Sequence, residues 1–66
     1  MINLNTTPMS GEDFLRIRKD AGITMQALAD TLGINYTTVA RYQSGKLAIP
    51  IPIALAMRQI DQLKES

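Results

Sequence analysis

A chain of 66 residues and 7.3 kDa has room for one small domain, whose core covers only about 60% of the surface the unfolded chain exposes. Without Cys or His it has no disulfide staple, no Cys/His zinc site and no thiol nucleophile. With 45% hydrophobic and 20% charged residues it has the balance of a globular protein. It also lacks an apolar run near the roughly 18 residues of a membrane span and the basic-then-apolar order of a leader, so a soluble cytoplasmic protein is expected.

The net charge of +1 hides an uneven distribution. Residues 31–60 hold Arg41, Lys46 and Arg58 and no acid, whereas residues 1–30 and 61–66 each sum to −1. An acid-free middle suits an anionic partner, or is chance in a short stretch.

Residues 1–9 read as a tail, in which Ile2 and Leu4 alternate over too short a span for a strand, and residues 10–66 as the domain. Three helix starts then share one pattern. Ser10, Thr24 and Asn35 are N-cap residues, each bracketed by apolar residues at staple spacing: Met9 with Phe14, Ile23 with Leu28, Ile34 with Val39. Asp13, three residues after Ser10, completes a shortened capping box. Gly22, Gly33 and Gly45 mark the ends. The spacing predicts helices over 11–21, 25–32 and 36–44. A fourth is predicted over 52–64, with Pro52 at its first position. On this last helix Ile53, Ala56, Met57, Ile60 and Leu63 share an arc of roughly 120°, the expected core face. Leu55 lies opposite, among Arg58, Gln59 and Gln62. The fold class is all-α, a compact four-helix domain.

The second and third helices are joined only by Gly33, Ile34 and Asn35, which forces a steep crossing of the helix-turn-helix kind. Ala29 is small where the helices approach. Leu28, Leu32, Ile34, Val39 and Tyr42 are apolar at the inward positions, leaving Tyr36, Thr37, Ala40 and Arg41 outward.

On these residues, the stretch TMQALADTLGINYTTVARYQSGK (residues 24–46) resembles the Cro and lambda-repressor type (XRE-like) helix-turn-helix domains. With the flanking helices the resemblance covers about residues 10–62. It implies a sequence-specific regulator of double-stranded DNA, with the third helix in the major groove. Tyr36, Thr37, Ala40 and Arg41 would then face base edges, and Thr24, Gln26, Thr38, Ser44 and Lys46 would meet phosphates. An Arg at position 41 can fork onto guanine, though a solvated Arg or a phosphate clamp is the bland alternative. Tyr36 could equally serve helix packing, Thr24 could be a plain N-cap, and Lys46 an idle loop lysine. The sequence departs from the family pattern in two places. Met25 stands where the family usually has Gln, putting that phosphate contact in doubt. Gln43 stands where the family has Glu, facing Arg18 as a structural partner.

The family's usual fifth helix is missing, so dimerisation is expected to use Leu55, Arg58, Gln59 and Gln62, or the tail. A homodimer on an inverted-repeat operator, acting as a repressor of its own promoter, is the leading expectation. Compact members of this kind resemble regulators of phages and mobile elements, including those of anti-CRISPR operons. The alternative is an antitoxin or other protein-interaction module using Ile2 and Leu4; RNA binding is a third reading. No enzyme, metal site, cofactor or small-molecule ligand is expected. Glu12 and Asp13 complement a helix dipole, and neither Tyr36 nor Tyr42 has a partner base.

Overall fold

The structure, a computed structural model, describes residues 8–65; the expectations for Ile2 and Leu4 lie outside them. Among the described residues are four helices and no strand: α1 (Gly11–Asp20), α2 (Met25–Leu32), α3 (Tyr36–Ser44) and α4 (Ile51–Glu65). No helix among them is long and apolar enough to cross a membrane.

The local signals act largely as read. Ser10 Oγ accepts from the Asp13 amide at 3.1 Å, and Thr24 Oγ1 accepts from the Ala27 amide at 3.1 Å. Each satisfies an N–H with no intrahelical partner. Asn35 departs from expectation. It holds the extended N-cap conformation, but its side chain makes no capping hydrogen bond; its carbonyl alone receives the Thr38 and Val39 amides. The first helix ends one residue early, at Asp20, with Ala21 as C-cap. The fourth begins one residue early, at Ile51, because the Pro50 carbonyl accepts the Ala54 amide at 2.9 Å. Pro52 therefore takes the second helical position, where its missing N–H again has no intrahelical partner to lose.

The core comprises Met9, Phe14, Ile17, Leu28, Ala29, Val39, Tyr42, Ala54 and Met57. Each staple places at least one residue in it, and Met9 and Phe14 both enter. In α1, α3 and α4, packing centres on α1, which contacts both α3 and α4, while α2 packs on α3. Arg16 of α1 pairs with Asp20 at 3.4 Å and reaches Asp61 of α4 at 4.0 Å. Both pairs are at the surface and contribute little.

The core face of α4 differs from the predicted arc. Ala54 and Met57 are buried, Ile53, Ala56 and Ile60 are half-buried, and Leu63 is 67% exposed. At 100° per residue Ala54 lies roughly 60° beyond the edge of the predicted arc, towards Arg58 and Asp61. Ala54, small as it is, belongs to the buried core. At about 1.5 Å per residue α4 is about 22 Å long and α1 about 15 Å, so α1 is too short to cover the whole of α4.

Candidate nucleic-acid interface

The joint between α2 and α3 is built on Gly33. Its φ of 70° lies in the left-handed region, and the turn returns the Ile34 amide to the Ala29 carbonyl at 3.0 Å. A side chain at this φ is strained. Leu28, Ala29, Val39 and Tyr42 are buried, with Leu32 and Ile34 half-buried beside them. These are the residues read as the inward set. The α2–α3 pair is a helix-turn-helix.

Three further contacts fix α3 on α1. The rings of Phe14 and Tyr42 meet edge to face, with centroids 5.7 Å apart and planes at 62°. The half-buried Arg18 donates from Nε to Gln43 Oε1 at 3.2 Å and from Nη1 to the Ile23 carbonyl at 2.9 Å. Gln43 Nε2 in turn donates to Met25 Sδ at 3.5 Å. Thus Gln43 links the other two elements to α3: its oxygen holds Arg18 of α1, and its nitrogen meets Met25 of α2. The third contact was not legible in sequence. Gly11 lies against the end of α3 so closely that a Cβ there would stand 2.7 Å from the Tyr42 carbonyl oxygen.

With its inner face anchored, α3 presents the opposite face to solvent. Tyr36 is 51% exposed, Thr37 and Arg41 are exposed, and Ala40 is half-buried. The Arg41 guanidinium has no hydrogen bond or ion pair among the described residues. Thr37 and Arg41 are one turn apart, as are Tyr36 and Ala40, so the four form a continuous outer surface.

Of the expected phosphate contacts, Thr24, Gln26, Ser44 and Lys46 are exposed and Thr38 is half-buried. Thr24 already caps α2, and Ser44 Oγ donates to the Arg41 carbonyl at 3.2 Å. Gln26 Nε2 donates to Asp30 Oδ1 at 3.1 Å, which places an acid beside it. The proposed dimer residues form a separate group on α4. Leu55 is 40% exposed, Gln59 and Gln62 are exposed, and Arg58 is half-buried on the flank of the buried face. Ile51, one turn before Leu55, and Leu47 in the preceding loop are also exposed, at 45% and 42%. The described residues contain no cluster of three or more His, Cys, Asp or Glu able to hold a metal ion.

A 49-residue stretch, 74% of the chain, is 37% identical to a protein of Pyrobaculum aerophilum provisionally named an HTH-type transcriptional regulatory protein. That stretch covers 20% of the relative, so the chain spans about a fifth of its length. The relative's name is that of a regulator and not of an enzyme. No protein-family model matches the chain. No solved structure matches it.

Proposed function

We propose that the protein is a sequence-specific double-stranded DNA-binding regulator that lays α3 in the major groove. One observation carries this reading: α3 is anchored through Val39 and Tyr42 and turns Tyr36, Thr37 and an unengaged Arg41 outward on an acid-free helix. Arg41 is the base reader, forking onto guanine O6 and N7. Tyr36, Thr37 and Ala40 complete the surface by contact with base edges and thymine methyls. Thr24, Gln26, Thr38, Ser44 and Lys46 grip the flanking phosphates, helped by the free N–H groups at the start of α2. The similarity to a protein named as a helix-turn-helix regulator supports the same function.

One copy offers few cations to DNA, so two copies acting together are needed for tight binding at physiological salt. Leu55, Arg58, Gln59 and Gln62 of α4 join the two copies. The operator is an inverted repeat with half-sites about 34 Å apart. The simplest output is repression by occupancy of the protein's own promoter in the cytoplasm, as in the small phage and mobile-element regulators that the sequence resembles.

The test is a gel-shift titration on the DNA upstream of the protein's own gene, with excess competitor at about 100 mM salt, where weak phosphate binding is suppressed. A discrete shift with two copies per duplex is expected. Smearing alike on all DNA, or no shift at all, would count against a sequence-specific autorepressor.

A further inference from the structure

Charges withdrawn from water are ordinarily matched by an opposite charge. Arg18 is half-buried where α1, α2 and α3 meet, yet both of its acceptors are neutral: the Gln43 amide oxygen at 3.2 Å and the Ile23 carbonyl at 2.9 Å. Among the described residues it makes no ion pair. Two of its five N–H groups are hydrogen-bonded within the protein, both to neutral acceptors, and its charge is left without a paired acid.

What opposes the charge is the negative end of the α1 dipole, because Arg18 stands in the last turn of that helix; the other elements around it supply no acid to pair with it. Ile23 immediately precedes the N-cap of α2, whose first turn has no acid, and α3 has none along its length. The positive end of the α2 dipole points the same way. Gln43 is held on its other side by Met25 Sδ at 3.5 Å, so its oxygen is the atom turned to Arg18. A carboxylate of almost the same shape would fit that place and neutralise the guanidinium. The amide accepts from it without doing so.

We propose that Gln43 is a positioning residue that keeps Arg18 in place with no acid paired to its charge, so that Arg18 attracts the DNA backbone without touching it. The proposal rests on the reading that α2 and α3 face duplex DNA. A charge inside the protein is screened less than one at the surface, and at 0.1 M salt the screening length is about 10 Å. The field of Arg18 therefore reaches phosphates lying over the first turn of α2.

The test uses the full chain, a labelled mixed-sequence duplex of about 20 base pairs, and fluorescence anisotropy at several salt concentrations. Such binding is essentially electrostatic and needs no knowledge of the operator. Gln43→Glu is expected to raise the melting temperature by creating an ion pair. It should also weaken binding up to about eightfold at 0.1 M salt and flatten the salt slope by up to about 0.9, the share of one cation. Arg18→Gln is expected to weaken binding and flatten the slope likewise while lowering the melting temperature. Affinity falling in both variants as stability moves in opposite directions supports the proposal. An unchanged slope in Gln43→Glu, or affinity that follows stability, overturns it and leaves a purely structural contact. If Arg18→Gln does not fold, Gln43→Glu decides alone by the same criteria. If the wild-type chain binds no duplex at all, the DNA-binding reading falls, and this proposal with it.

Discussion

Replacing Gly11 by Ala should destabilise the domain, against the general rule that Ala is the better helix former. The new Cβ would stand 2.7 Å from the Tyr42 oxygen, 3.0 Å from the Gln43 oxygen and 3.0 Å from the Gly45 nitrogen. All three are backbone atoms at the end of α3, so no rotamer change relieves the contact, and α1 and α3 must move apart. Overpacking of this kind costs about 1–3 kcal/mol, while the gain in helix propensity returns at most about 1 kcal/mol. With a mid-range cost of about 2 kcal/mol the net loss is about 1–2 kcal/mol, a large part of the roughly 3–10 kcal/mol available to 66 residues. At about 4–8 °C per kcal/mol for a domain of this size, the melting temperature should fall by about 4–16 °C, read by far-ultraviolet circular dichroism. A melting temperature equal to or above wild type would refute the close approach of α1 to α3.

Three further outcomes are expected. Arg41→Ala should leave the circular dichroism spectrum and melting temperature unchanged and reduce discrimination between the operator and other DNA by about 1–3 kcal/mol, measured by competition gel shift. Thr24→Ala should cost about 1 kcal/mol in denaturant unfolding, and Asn35→Ala distinctly less, because only Thr24 caps with its side chain. Leu55→Lys should shift sedimentation towards the monomer without unfolding the chain; an unchanged dimer would move the interface elsewhere.

The sequence makes some of these features legible and not others, for physical reasons. Caps, staples and glycines act over a few residues, so the bounds of α2 and α3 could be read directly, and the inward set from Leu28 to Tyr42 followed from helical period. The face of α4 could not be read as well, because a periodic pattern weights large apolar residues. Its buried face includes Ala54, a small residue that such a pattern counts for little. Leu63 satisfied the period and is exposed nonetheless. Gly11 is the extreme case: a glycine one position inside a helix gives no local sign of what stands over it. Asn35 is the converse, a residue of the right type at the right position whose side chain does not cap. In the candidate site, the Arg18–Gln43 pairing was implied by the family resemblance, whereas the contact of Gln43 with Met25 required coordinates.

The division of α3 into an anchored face and an exposed one also bears on how such a protein changes over time. Val39 and Tyr42 carry the packing, while Tyr36, Thr37 and Arg41 are exposed. Exposed substitutions generally alter stability by less than about 0.5 kcal/mol. A lineage can therefore exchange its outward residues one at a time, passing through folded intermediates at each step. Preference for a binding partner can drift quickly on a scaffold that hardly drifts at all.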